Sequence, residues 1–233
     1  EGFMLIALPN LDGSFTMTLF MAYEGKYSFE NLKTDAQIKA FFETHFPTAI
    51  EHMPDYLEDW HKNPTSSLVT IKADTWFNNK VCLLGDSSHA IVPFYGQGMN
   101  SGFEDCRVMD DIIEANKGEN WDKIIAEYNE SRVADGQAIA DLAIRHFVNM
   151  RDDTQDDNFL KRKAFEKIIM KNVPEFLPQY SMVSFSNIPY SIALKKGDDQ
   201  IIMLESLLEE YPNQNDWDNE EVFDKVRSFL KNY

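Results

Sequence analysis

The residues best suited to chemistry in this 233-residue chain lie between Val81 and Cys106. Val81-Cys82-Leu83-Leu84 is a short apolar run and predicts a buried strand. Gly85-Asp86 ends it and sets a carboxylate, an acceptor for hydroxyl groups, at the strand's end. A loop follows with Pro93 and two closely spaced glycines, Gly96 and Gly98, over which a backbone can approach a ligand. From Met99 the apolar residues Phe103, Cys106, Val108, Met109, Ile112 and Ile113 recur at helical spacing. The first N–H groups of that helix have no partner inside it and point at any negative charge placed there. Strand, carboxylate, glycine turn and helix N-terminus are the parts of a nucleotide-cofactor site. Spacing alone does not define one. Gly96-x-Gly98-x-x-Ser101 falls one residue short of the dinucleotide fingerprint, and Gly96 stands ten positions after Asp86 rather than directly after a strand.

Other constellations carry less. The histidines His45, His52, His61, His89 and His146 show neither an H-E-x-x-H pattern nor a pairing with cysteine, so no metal site is predicted. Ser87-Ser88-His89 are loop neighbours that do not face one another as nucleophile and base, and no Gly-x-Ser-x-Gly elbow is present. Glu104-Asp105 and Asp110-Asp111 read as solvated or capping groups, the first pair favoured near a helix N-terminus by the dipole. Walker residues are absent.

The surrounding elements follow from pattern. Residues 3–9 read as a strand, Asn10-Leu11-Asp12-Gly13 as a hairpin turn and 14–21 as the return strand. Phe15, Met17 and Leu19 share one face and Thr16, Thr18 and Phe20 the other, which suits either a half-wet exterior or a cavity wall. A cap at Thr34 or Asp35 starts a helix over 35–45, and a shorter acidic helix is expected over 49–60. Residues 68–72 alternate like a strand, and 74–79 read as a polar crossing. Later helices are expected over 121–131, 132–151, 158–171, 201–210 and 220–230. Pro174, Pro178 and Pro189 break the chain between them, so Tyr180 to Ser186 is expected to be extended or irregular. The fold class is α/β in the broad α+β sense. A sheet layer covers 1–80, a strand–loop–helix 81–116 and a helical region 117–233.

Composition narrows the partners. Twenty-two basic and 39 acidic residues give a formal charge of −17, which argues against a nucleic-acid partner, whose phosphates need a basic footprint, and equally disfavours a polybasic membrane patch. Two cysteines, Cys82 and Cys106, make no disulfide framework and are expected to be small buried hydrophobes. No run approaches the ~20 apolar residues of a membrane helix. A start at Glu1 reads as a chain that begins mid-sequence or has been processed.

The residue string says more than its spacing. Gly85-Asp86-Ser87-Ser88-His89, then Pro93, Gly96-Gln97-Gly98-Met99-Asn100 and Glu104-Asp105, resembles the second flavin-binding motif of the single-component FAD-dependent aromatic hydroxylases. Pro93 to Asn100 is similar to the branch of that family that hydroxylates L-kynurenine, and the similarity extends from Met4 to about Ser186. It is densest at 6–10 with 14–15 and 18–20, at 83–106, and at 180–183.

The resemblance implies FAD as cofactor, with NADPH as co-substrate and O₂. A flavin C4a-hydroperoxide would hydroxylate the ring of L-kynurenine beside its amino group, in tryptophan breakdown toward NAD. The cofactor then carries the chemistry, and no catalytic side chain is expected. Cofactor binding is implied for Gly85, Asp86, Pro93, Gly96, Gln97, Gly98, Met99 and Asn100, with Asp86 on a ribityl hydroxyl and the Met99 and Asn100 N–H groups as donors. Substrate binding is implied for Ile6, Leu8 and Phe20 as an apolar wall, for Pro93, Phe94 and Tyr95 as the loop between flavin and substrate, and for His146, Asn149, Met150 and Tyr180. His146-Phe147-Val148-Asn149-Met150-Arg151 stands where the family reads Asn-Tyr-Ile-Glu-Met-Arg, so His146 replaces a substrate-binding Asn and Asn149 a Glu.

The implied fold is the carboxy-terminal part of a FAD/NAD(P)-binding aromatic hydroxylase: an antiparallel substrate-domain sheet, one flavin-domain strand–loop–helix, and a helical carboxy-terminal region. The implied partner is an amino-terminal FAD-binding half of the same polypeptide. The implied location is the cytosolic face of the mitochondrial outer membrane, reached only through a tail absent from these residues. A related aromatic hydroxylase with another substrate, or a flavoprotein-derived binding domain without catalysis, are the alternatives.

Overall fold

A computed structural model describes residues 2–151 and 156–231; of the residues named above, only Glu1 lies outside them. The chain forms two compact units, Glu1–Leu68 and Val69–Tyr233.

In the first unit β1 (Phe3–Pro9) and β2 (Phe15–Met21) pair antiparallel, with Phe3 opposite Met21 and Pro9 opposite Phe15. The turn closes because Asn10 N–H donates to Ser14 O at 2.8 Å and Gly13 N–H to Asn10 O at 3.1 Å. Gly13 takes a φ of +84°, a conformation glycine adopts without a Cβ penalty. Phe3, Leu5, Leu19 and Met21 pack on α1 (Asp35–His45), whose Ile38, Phe41 and Phe42 form the core of this unit. The pleat therefore turns Met4, Ile6, Leu8, Thr16, Thr18 and Phe20 to the opposite face. Thr34 and Gln37 form the capping box that starts α1.

The single helix expected over 49–60 is two pieces, α2 (Pro47–Ile50) and α3 (Tyr56–Lys62). Pro54 lies between them; it has no N–H, and its ring would clash with the Ile50 carbonyl in a continuous helix. Residues 68–72 are not a strand. Ile71 N–H donates to Ala90 O at 2.8 Å, but no strand runs alongside to supply a ladder.

In the second unit the expected strand over 81–84 shortens to β4 (Val81–Cys82), antiparallel to the two-residue β3 (Phe77–Asn78). A strand extends only as far as its partner, and Val81 is exposed rather than buried. α4 (Asp86–His89) follows, then a 3-10 turn at Pro93–Tyr95 and α5 (Gly98–Ala115). α5 turns Ser101 and Asp105 inward and Phe103 and Cys106 outward. Cys106 is thus exposed and Cys82 half-buried, contrary to the expectation of two buried thiols.

The two helices expected over 121–151 are one, α6 (Trp121–Arg151), because neither proline nor a capping pattern interrupts Ser131-Arg132. After α7 (Asp157–Asn172), the segment expected to be irregular is α8 (Gln179–Phe185). The prolines flank it rather than break it, and Pro178 O accepts Met182 N–H at 2.9 Å in its first turn. α9 (Tyr190–Glu210) starts at Pro189, earlier than the pattern suggested, and α10 (Glu220–Leu230) ends the described chain. Phe165, Ile169, Leu204, Trp217, Val222 and Val226 join α7, α9 and α10 around one core. The architecture is a mixed helical fold with small antiparallel sheets. Among the described residues no helix is long and apolar enough to cross a membrane.

Candidate functional site

The site is built around the turn at Gly85. This residue has φ +58° and ψ −138°, outside the range of ordinary L-residues. A Cβ added to Gly85 would lie 3.9 Å from the Cα of Gly102, so the turn rests directly on the second turn of α5. Gly85 O accepts Ser88 N–H at 2.9 Å and His89 N–H at 3.1 Å, which closes α4. Asp86, the first residue of α4, is exposed and makes no hydrogen bond among the described residues. Farther on, Gly96 adopts φ +66° in the left-handed region and ends the Pro93–Tyr95 turn. The space a Cβ would fill there is open. Gln97 caps α5 and is itself held, its Oε1 accepting Asn100 Nδ2 at 3.1 Å and the Tyr190 hydroxyl at 3.2 Å. The N–H groups of residues 98–100 open α5 and have no intrahelical acceptors, and Met99 and Asn100 are exposed around them. A free carboxylate on one turn and a set of backbone donors on the next suit a ligand that carries both hydroxyl groups and an anionic or carbonyl-rich part.

Beneath this surface lies a buried ionic network that sequence reasoning missed. Asp105, read above as a solvated or capping group, is fully buried, and His89 and Arg132 are each 2% exposed. Asp105 Oδ2 lies 2.6 Å from His89 Nε2 and accepts Gly85 N–H at 3.0 Å, while Oδ1 accepts Arg132 Nε at 2.8 Å. Burial pushes the Asp105 carboxyl up, but the hydrogen bonds from His89 and Arg132 outweigh it and hold the group below the usual carboxylate range. Arg132 Nη1 reaches on to Asp135 at 3.3 Å, and Asp135 accepts Ser191 N–H at 2.9 Å. The His89 ring stacks on Trp76 with centroids 4.9 Å apart. No periodicity marks a charged residue for burial. The only local sign is the small pair Ser101-Gly102 one turn earlier, where another segment approaches closely.

Three of the residues expected at a substrate pocket come together. The Tyr95 ring lies 4.6 Å from that of His146 and 5.7 Å from that of Tyr180, and His146 lies 5.6 Å from Tyr180. Phe94 stacks on Phe147 at 4.5 Å. Asn149 and Met150 follow His146 by three and four positions on α6 and share its side of the helix. Burial, with a smaller contribution from the Lys163 charge, lowers the His146 pKa from 6.5, so its ring favours the neutral form. Burial, then the neighbouring Tyr180, pushes the Tyr95 hydroxyl up to about 12, so it remains a hydrogen-bond donor.

Beside Gln97 and Asn100 a cavity of about 680 Å³ opens between α5 and the α8–α9 junction, lined also by Glu104, Arg107 and Phe185. Of these only Gln97 and Asn100 were legible beforehand. Ile6, Leu8 and Phe20 share one face of the β1–β2 hairpin, opposite the packed face, in the first unit. Among the described residues no group of three or more His, Cys, Asp or Glu is arranged to hold a metal ion.

A family profile described as FAD binding domain matches residues 2–143. The chain belongs to this FAD binding domain family. Within it the chain is 44% identical over 234 residues to the kynurenine 3-monooxygenase of Cytophaga hutchinsonii, covering 100% of this chain and 52% of that protein. It is 47% identical over 231 residues to that of Flavobacterium johnsoniae, covering 98% and 52%. It is 40% identical over 237 residues to that of Dictyostelium discoideum, covering 96% and 51%. The chain spans about half the length of the curated relatives it matches. The matched FAD-binding region includes the Gly85 turn, the Gly96 turn, α5 and most of α6.

Proposed function

We propose that this chain supplies part of the FAD site and the aromatic pocket of a NADPH-consuming monooxygenase that hydroxylates L-kynurenine to 3-hydroxykynurenine. The observation that carries the reading is the Tyr95–His146–Tyr180 cluster, which begins at the residue directly before the Gly96–Asn100 turn. A pocket for an aromatic ring and a turn for a flavin are thereby joined without an intervening segment. The similarity to kynurenine 3-monooxygenases over nearly the whole chain supports the same substrate.

The residues present fit FAD. Asp86 offers an unpaired carboxylate to a ribityl hydroxyl, residues 98–100 offer backbone donors, and the open space over Gly96 admits a flat ring against the chain. Bound FAD supplies the redox chemistry, taking two electrons from NADPH and activating O₂. Phe94 and Tyr95 form the wall between flavin and substrate, Tyr180 and His146 present polar edges to the amino-acid end, and Asn149 and Met150 extend that surface. Ile6, Leu8 and Phe20, on one face of the hairpin in the first unit, are apolar side chains suited to an aromatic substrate. In this division residues 1–80 serve the substrate side, 81–116 close the FAD domain, and 117–233 form the helical region.

The test is NADPH oxidation by the complete polypeptide, loaded with FAD, with and without L-kynurenine. Stimulation matched by 3-hydroxykynurenine is expected. NADPH consumption that yields only peroxide would point to another aromatic substrate, a reading that His146 leaves open although the Pro93–Asn100 string and Tyr180 argue against it. No flavin-dependent oxidation at all would reject the enzyme reading.

A further inference from the structure

The buried network behind Gly85 has no place in the reaction just described, yet it contacts the backbone of the motif that is to hold the cofactor. Burying a carboxylate costs several kcal/mol even when it is paired, and well-packed apolar residues would often serve stability as well. The packing shows the same excess. His89 Nδ1 and Arg132 Nη2 are buried without a hydrogen-bond partner among the described residues. A network that leaves polar atoms unsatisfied is a poor way to stabilise a core. What it does achieve is geometric. Gly85 N–H is held by Asp105 Oδ2 at 3.0 Å, and Gly85 O is held by Ser88 Oγ at 2.8 Å and Ser88 N–H at 2.9 Å. Both polar groups of this positive-φ residue are therefore pinned, and the next peptide carries Asp86 out to the surface. Asp105 is fixed in turn by Arg132 from α6 and by His89 from the far end of α4.

We propose that Asp105, braced by His89 and Arg132, is a positioning residue for the cofactor: it sets the Gly85 backbone so that the Asp86 carboxylate meets a ribityl hydroxyl. The proposal rests on the FAD reading above. It predicts that Asp105 and Asp86 act on FAD through the same contact, so their removal is not additive.

The experiment is a double-mutant cycle on the complete polypeptide, with FAD dissociation constants read from flavin fluorescence quenching. Asp105→Asn and Asp86→Ala are each expected to weaken FAD by about tenfold or more, with the double variant within about threefold of the weaker single. Losses that multiply, to about a hundredfold, would show independent roles and overturn the proposal. If Asp105→Asn does not fold, His89→Phe takes its place in the cycle; it keeps a ring on Trp76 and removes the donor to Asp105. Failure of both variants to fold would make the network a core element and overturn the proposal. A wild-type protein that binds no FAD would remove the underlying reading instead, and is told apart by that single titration.

Discussion

Tyr180 lies over Tyr95 with ring centroids 5.7 Å apart and ring planes 25° from parallel. The two rings belong to different elements, α8 and the turn that precedes α5. Their approach depends on α8 being helical. Its turns direct Met182 and Val183 into a core with Leu142 and Tyr190 while leaving Tyr180 at the edge of the aromatic cluster.

Tyr180→Phe keeps the ring and removes only the hydroxyl. The stacking on Tyr95 persists, so FAD affinity is expected to be unchanged. L-kynurenine affinity is expected to fall about five- to tenfold, the worth of one hydrogen bond. Substrate titration by flavin absorbance measures it, and equal affinity with equal peroxide leakage would remove Tyr180 from the pocket.

Asp86→Ala deletes a carboxylate that has no partner among the described residues, so the fold has little to lose. FAD binding is expected to weaken by about 1.5–3 kcal/mol, the range for a hydrogen bond to a charged group. Equilibrium dialysis is the measurement, and a variant that retains flavin as the wild type does would refute the assignment.

His146 titrates below its ordinary 6.5 in the folded chain, chiefly through burial. As pH falls through that value the unfolded chain takes up a proton that the folded ring resists, so this contribution to stability is present above it and lost on acidification. His146→Asn removes the linkage. The melting temperature of the wild type, relative to this variant, is expected to drop between about pH 7.5 and about pH 5.5. A difference that stays flat across that interval would contradict the burial of the ring.

Gly136 sits inside α6, where helix propensity favours alanine by up to about 1 kcal/mol. Its surroundings reverse the sign. A Cβ there would lie 2.4 Å from Trp76 Cζ2 and 3.2 Å from His89 Cδ2. Gly136→Ala is expected to destabilise the protein by about 1–3 kcal/mol as the Trp76–His89 stack is displaced. Chemical denaturation decides it, and a stabilised variant would mean that the stack yields freely.

The elements most legible in the sequence are those whose signals are local. The Asp12-Gly13 turn and the cap at Thr34 each declare a boundary within a few residues, and β1, β2 and α1 follow from them. The turns at Gly85 and Gly96 were marked by their glycines, but a role for Asp86 and Gly96–Asn100 came only from resemblance, since a glycine-bearing strand–loop–helix occurs in many α/β folds. Tyr95, His146 and Tyr180 were legible only through resemblance, since nothing local brings them together. What stayed hidden depends on partners remote in sequence. Asp105 looks like any surface carboxylate until His89 and Arg132 are seen around it. The Val81 run looks like a buried strand until its neighbour proves two residues long, and Tyr180 to Ser186 looks broken because flanking prolines resemble interior ones.

The 31-residue α6 carries Arg132 in the buried network and His146 in the aromatic cluster on one uninterrupted rod. Their separation is therefore counted out in residues, at about 1.5 Å and about 100° per step. An inserted residue between them would rotate His146 by that angle away from Tyr95 while leaving Arg132 where it is. The gap between the network behind Gly85 and the aromatic cluster is thus gauged by a length of helix, and tolerates substitution along the rod far better than any change in its number of residues.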